Sequence, residues 1–305
     1  MNCRADDAGG SLRLLAFATI YLVWGSTFLA IRIGVEEVPP FLLAALRFLL
    51  AGGTMLLWML ARGVRLPDAR QWRSAFLVAL PIFLLNYGLV FWAETRIASG
   101  VTAVMQAMIP AFMVLAEITM LGTQRLSWRL AGGLALGLAG VFVLVSNSLG
   151  LGSAPVDMVS AAALVVASSS WAVGSMLTRK LPLPASKAMS SGAQMLAGGV
   201  WLSVAALALG ETRGFDPRAV SADAWLALLY LVVAGSILAF TAYMWLLSHD
   251  SPTRVGTYAY VNPVVAVLLG YLAAGEPIGV RTVGGMACVL LSVLLITTMR
   301  KPAGP

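Results

Sequence analysis

"MWLLSHDSPTRVGTYAYVNP", residues 244–263, decides how the chain is organised, because an altered copy of it occurs earlier. Laid without gaps on "FWAETRIASGVTAVMQAMIP" (91–110), it places Pro263 on Pro110 and Trp245 on Trp92, an offset of 153 residues. The correspondence continues in both directions. Upstream, Trp24 and Arg32 match Trp171 and Arg179, eight residues apart in each pair, and "LAGG" at 50–53 matches "LAGG" at 196–199. Downstream, a shift of one residue lays "QRLSWRLAGG" (124–133) on "EPIGVRTVGG" (276–285), so that Gly132 and Gly133 meet Gly284 and Gly285. One such match is cheap, but a consistent order along the chain is not. The halves, 1–150 and 151–305, read as a duplication.

The medium follows from composition. The chain is 60% hydrophobic and 11% charged, with a mean hydropathy of +0.89. A soluble domain carries about 25% charged residues, so the expected class is an all-α integral membrane protein. Ten apolar stretches have the length needed to cross about 30 Å of hydrocarbon: 12–33, 40–61, 74–93, 99–121, 128–146, 157–178, 187–209, 223–247, 252–273 and 279–299. The links between them are short, which leaves no room for a soluble domain. Acids in "MNCRADDAGGSLRLL" and the full-length apolar stretch behind them argue against a cleaved signal peptide. Cys3 in that tail and Cys288 in the last stretch suggest neither a disulfide framework nor a metal site.

The net charge of +7 raises the question of nucleic acid, but its distribution answers it. With the N-terminus inside, fourteen Lys and Arg residues fall on the cytoplasmic side (Arg62, Arg65, Arg70, Arg179 and Lys180 among them). Five fall outside: Arg32, Arg96, Arg213, Arg218 and Arg281. This is the positive-inside bias, and it places both termini in the cytoplasm, with no nucleic-acid partner expected. Three lysines against seventeen arginines hint at a GC-rich bacterial genome, hence an inner-membrane location. Five spans per half is an odd number, so the second half enters the membrane upside down. Inverted repeats of this kind are a recurrent plan of secondary transporters, with the substrate near the midplane where the repeats meet.

Two stretches then resemble a known family. "YLVWGSTFLAIRIGVEEVPPFLLAALRFLLAGG" (21–53) is similar to the opening of the drug/metabolite transporter superfamily, EamA branch. "YAYVNPVVAVLLGYLAAGEPIGVRTVGGMACVLLSVLL" (258–295) resembles the end of its repeat. The resemblance covers nearly the whole chain. It implies ten helices in two inverted five-helix repeats and export of small metabolites or drugs, relatives including exporters of amino acids, aromatic ones among them. Gln124 departs from the pattern, standing where the family usually has the Glu found here at 276. That position is expected at a membrane edge, where it bears on packing.

Candidate site residues follow from what lipid forbids. A proline inside a helix frees the carbonyl four residues earlier, here on Gln106 and Ala259. Such irregularity survives only where protein or a watery cavity supplies partners. Pro110 and Pro263 both stand about 16 Å along their helices, and we expect gates or binding hinges there, kinks satisfied by neighbouring helices being the alternative. Trp24 and Trp171 lie mid-helix, away from the interfacial belt, among hydroxyl residues that either glue helices or line a cavity. Tyr258 and Asn262 share one helix face. Tyr87, Asn86 and Tyr243 add polar and aromatic atoms at similar depth. Arg47, about 10 Å below the outer edge and level with Gln106, is a candidate for a substrate carboxylate or a structural holder of backbone carbonyls. The expected substrate-binding set is therefore Trp24, Arg47, Tyr87, Gln106, Trp171, Tyr243, Tyr258 and Asn262. Glu117, near the inner end of the fourth stretch, is either a proton relay or solvated, and His249 is expected in a solvated inner loop. Gly132, Gly133, Gly137 and Gly140 form a small-residue seam on the fifth stretch, as do Gly284, Cys288 and Ser292 on the tenth.

An enzyme would need a nucleophile or acid/base pair within reach. One histidine, few buried charges and no metal spacing speak against that class and against a cofactor. A channel would show a continuous polar stripe, whereas here polar residues cluster at mid-depth. The expectation is a secondary transporter working by alternating access and exporting amino acids or related amphipathic metabolites. A broad drug or cation exporter is the alternative, and cargo, driving ion and oligomeric state stay open, a monomer included.

Overall fold

The computed structural model describes residues 3–122, 128–145, 157–249, 255 and 257–298. Gln124 lies outside them. The described residues form helices joined by short links. They are α1 (Cys3–Val35), α2 (Pro40–Ala61), α3 (Ala69–Glu94), α4 (Ser99–Met120), α5 (Trp128–Val145), α6 (Met158–Lys180) and α7 (Lys187–Ala208). The series continues with α8 (Ala222–Tyr230, Leu231–Leu238 and Ala239–His249), α9 (Tyr258–Ala274) and α10 (Val280–Thr298). Seven of them, α1 to α4 and α6 to α8, are long and apolar enough to cross a membrane. Leu130–Leu144, Tyr258–Ala274 and Val280–Leu295 are shorter apolar helices. Side chains such as Leu22, Leu57, Phe142 and Leu272 are exposed around the outside, which water would penalise and lipid does not. The chain is a helical, multi-pass membrane protein.

Helix starts are set by local chemistry. Asp157, Ser186 and Ser221 each accept from a backbone N–H three residues on, satisfying one orphan donor at the starts of α6, α7 and α8. At α2 and α4, where no residue at the helix start does this, distant carboxylates step in. Glu211 Oε2 accepts from Leu42 N at 2.8 Å at the start of α2. Glu276 Oε1 and Oε2 accept from Ser99 N at 2.7 Å and Gly100 N at 3.1 Å at the start of α4. An anion is favoured there by the exposed N–H groups and the helix dipole. Glu276 thus has a packing role, as expected for its position, and its partner lies 177 residues away in sequence.

Close packing has two centres. The "LAGG" segments face each other where α2 crosses α7. A Cβ on Gly52 would lie 2.5 Å from Leu196 N and 2.9 Å from Gly192 O, and one on Gly199 would lie 2.8 Å from Leu49 N. The second centre joins α5 to α10, where a Cβ on Gly140 would meet Gly285 O at 2.9 Å and Ser292 Oγ donates to Gly133 O at 2.6 Å. The expected glycine seam is therefore an intramolecular contact, but Gly132 and Gly284 are not in it: a Cβ on either meets nothing within 4 Å. Elsewhere α1 packs on α8 and α9, and α6 packs on α3 and α4.

The link between α1 and α2 is tied to the start of α8 by Glu37, which accepts from the Ser221 amide at 2.6 Å and from its hydroxyl. These bonds hold the Glu37 carboxyl below its ordinary range. A carboxylate lowered in the folded state adds stability that is present above its unfolded range and lost as pH falls through the folded value. Wild-type protein should therefore lose melting temperature on acidification more than Glu37→Gln does, and equal acid sensitivity would remove this role.

Candidate functional site

Three helices are irregular where they approach the middle of the bundle. In α3 the stretch Leu80–Tyr87 widens into π-helix, and in α8 Leu231–Leu238 does the same. Wide turns of this kind are frequent at functional sites. Pro81 opens the first, whereas the second contains no proline and was not foreseeable from one. In α4 the helix is interrupted at Ala107 and Met108, just before Pro110. Pro263, by contrast, sits inside a continuous α9, so the two prolines do not break their helices alike. Asn262, its amide turned to suit its neighbours, donates to the carbonyls of Tyr258 at 3.1 Å and Tyr21 at 3.2 Å, which knits this turn to α1.

Together these irregular turns enclose a cavity with two adjoining compartments of about 180 and 540 Å³. Trp24, Arg47, Tyr87, Trp171 and Tyr258 line both. Gln106, Asn262 and the two prolines line the smaller one, and Tyr243 only the larger. All eight residues expected to bind substrate thus share one cavity, although they come from α1, α2, α3, α4, α6, α8 and α9.

The walls are aromatic. Trp24, Tyr243 and Tyr258 form a three-ring cluster with centroids 5.0 to 6.0 Å apart. Across the cavity Tyr87 lies against Trp171 at 5.7 Å and against Phe48 at 4.6 Å. The rings are fixed by hydrogen bonds into the irregular turns. Trp24 Nε1 donates to Gly235 O at 3.0 Å, inside the wide turn of α8, and Asn86 Nδ2 donates to Ala167 O at 2.9 Å. Gln106 accepts from the Ser168 hydroxyl of α6.

Arg47 carries the one formal charge common to both compartments. It is 3% exposed. Its Nε donates to Ser236 Oγ at 3.0 Å, and the guanidinium lies 4.9 Å from the Phe48 ring centre and 5.3 Å from that of Tyr87. Nη1 has no hydrogen-bond partner among the described residues. A buried cation with no carboxylate hydrogen-bonded to it is expensive; aromatic faces offset about 2 kcal/mol of that when desolvated. Ser236 and Gly235, which aim this group and Trp24, escaped sequence reasoning; a Gly-Ser pair inside the apolar run 231–238 is the only signal they leave.

Other candidates resolve differently. Glu117 pairs with Arg179 Nη1 at 3.8 Å, so it is neither simply solvated nor in the cavity. His249 is the last residue of α8 rather than a loop residue, stacked on Trp245 at 4.2 Å. No cluster of three or more His, Cys, Asp or Glu residues among the described residues is placed to hold a metal ion.

The EamA-like transporter family matches the chain twice, over residues 12–146 and 158–298. The chain belongs to this family. It is 37% identical over 284 residues to "Uncharacterized inner membrane transporter YedA" of Escherichia coli K12, covering 92% of this chain and 89% of that one. It is 28% identical over 279 residues to "Protein PecM" of Dickeya dadantii, covering 90% and 88%. One crystal structure, 23% identical, aligns over 95% of this chain and 99% of its own with a TM-score of 0.62, and shares the fold. As an EamA-like protein the chain is a transporter, which implies a small-molecule cargo and a lipid bilayer.

Proposed function

We propose that this chain is a bacterial inner-membrane secondary transporter that exports amino acids, aromatic ones included, or related amphipathic metabolites by alternating access. Ten membrane-spanning helices would form two inverted repeats, with both termini cytoplasmic. Two observations support the repeats. The family matches each half separately, and the main helix contacts persist when every helix is replaced by the one five places along. Under that exchange α1 on α8 and α9 becomes α6 on α3 and α4, while α2 with α7 and α5 with α10 map onto themselves. The larger compartment reaches Pro184 and Lys187 between α6 and α7, the side that the charge bias assigns to the cytoplasm, where an exporter loads its cargo.

The cargo class rests on one observation: Arg47, a buried guanidinium whose Nη1 has no hydrogen-bond partner among the described residues, borders an aromatic cavity whose lining residues include no Asp or Glu. An organic cation would find no counter-charge there. A carboxylate would complete the Arg47 fork through charge-assisted hydrogen bonds, while an apolar or aromatic side chain stacks on Trp24, Trp171 or Tyr258 and Gln106 or Asn262 meets the remaining polar atoms.

Counterflow in proteoliposomes tests this. Vesicles loaded with unlabelled L-phenylalanine should accumulate the labelled compound saturably, and Gln106→Ala should reduce that uptake. No counterflow with aromatic, aliphatic or hydroxylated amino acids, from protein shown to be folded, would remove amino acids as cargo.

A further inference from the structure

Buried side-chain atoms without a hydrogen-bond partner are few among the described residues, and most of them belong to residues where α3 ends and α4 begins. Apart from Arg47 Nη1 they are both carboxyl oxygens of Glu94, Ser99 Oγ and Thr102 Oγ1. Glu94 ends α3, and Ser99 and Thr102 stand on the first turn of α4, three residues apart and so on one face. All three are 0% exposed. The backbone here is well satisfied: Arg32 Nη1 of α1 donates to the Glu94 carbonyl, and Glu276 accepts from Ser99 N. Only the side-chain oxygens are left over.

The charges acting on Glu94 are Arg32 on α1, Arg47 on α2 and Glu276 after α9, yet neither arginine hydrogen-bonds its carboxyl. Arg32 pairs with Glu36 at 3.3 Å, and Arg47 donates through Nε to Ser236 while its Nη1 reaches no carboxyl. An ionised carboxylate in so dry a place, with nothing donating to it, is not sustainable. Something taken from solution must neutralise it. The remaining groups, one carboxyl and two hydroxyls, offer only hard oxygen donors, which suit a proton shared with a hydroxyl or a small alkali cation. None of the three residues lines the cargo cavity.

We propose that Glu94, Ser99 and Thr102 form a second site, separate from the cargo cavity, that binds a monovalent cation, a proton or sodium. Its position between the capped start of α4 and the end of α3 lets occupancy bear on how those helices meet, so ion binding would be felt by the transport cycle. The site stands whatever the cargo is, and its test uses the ions alone.

Full-length protein in lipid nanodiscs is melted across the mildly acid to mildly alkaline range, and separately against sodium chloride with choline chloride as control. A proton site makes wild-type melting temperature fall as pH rises, because the folded protein binds the proton more tightly than the unfolded chain does. Sodium makes little difference in that case. A sodium site makes melting temperature rise with sodium and not with choline. Either response should vanish in Glu94→Gln, the neutral isostere. Should that variant not fold, Ser99→Ala/Thr102→Val keeps the carboxyl and should move the midpoint of the response about tenfold in ion concentration, the worth of one hydrogen bond to a charged group. Wild type and Glu94→Gln responding alike to both ions would overturn the proposal. So would a double variant indistinguishable from wild type where it alone can be measured.

Discussion

Arg47→Met should abolish counterflow of carboxylate cargo while leaving the protein at least as stable as before. The two halves of this expectation have one cause. Arg47 sits 3% exposed with an unpartnered Nη1, held by a single hydrogen bond to Ser236 and by ring faces. Replacing a buried charge by an apolar side chain of similar volume is often neutral or stabilising. Truncating one partner of a buried, hydrogen-bonded charge pair costs about 2–5 kcal/mol in binding, so transport at limiting cargo should drop about 30-fold or more. Arg47→Lys should not restore it. A lysine cannot both replace the Nε–Ser236 bond and offer a planar fork to a carboxylate. Retained counterflow with lowered melting temperature in Arg47→Met would make this arginine a holder of the fold and move the cargo elsewhere in the cavity.

Neighbouring glycines should behave in opposite ways. Gly52→Ala is expected to damage folding severely, and Gly53→Ala to leave it intact or slightly improved. A Cβ at Gly52 meets backbone atoms of α7, Leu196 N at 2.5 Å and Gly192 O at 2.9 Å, whereas at Gly53 it meets nothing within 4 Å. Backbone cannot rotate aside as a side chain does, so α2 and α7 must move apart along their contact. Overpacking of this kind costs about 1–3 kcal/mol, occasionally more. At Gly53 the substitution only exchanges glycine for a better helix former, worth about 1 kcal/mol in a helix interior. Thermal melting in detergent separates them, and equal melting temperatures would remove the crossing as a stability determinant.

Much of the site was legible because lipid makes polar and irregular residues conspicuous. Trp24, Gln106, Trp171 and Asn262 stand out in apolar helices, and the duplication expected from the sequence pairs the two tryptophans. What escaped depends on contacts far apart in sequence. Glu94 lies at the very end of an apolar stretch and reads as a surface acid until α1, α4 and the link after α9 close over it. Glu276 reads as a packing residue, but the sequence does not say that its partner is the start of α4. The wide turn at Leu231–Leu238 has no proline to announce it, so Ser236 could not be placed beside Arg47. The paired prolines misled in part, since α4 is interrupted and α9 is not.

The crossings of α2 with α7 and of α5 with α10 have a consequence for switching. Each is its own counterpart when the halves trade places. If transport alternates by such a trade, these two crossings look the same from either side of the membrane, as a hinge pin looks the same with the door open or shut. Their energy then cancels between the inward and outward states. The balance between those states is left to contacts that change hands, α1 with α9 against α6 with α4, and to the dissimilar residues the two halves carry there.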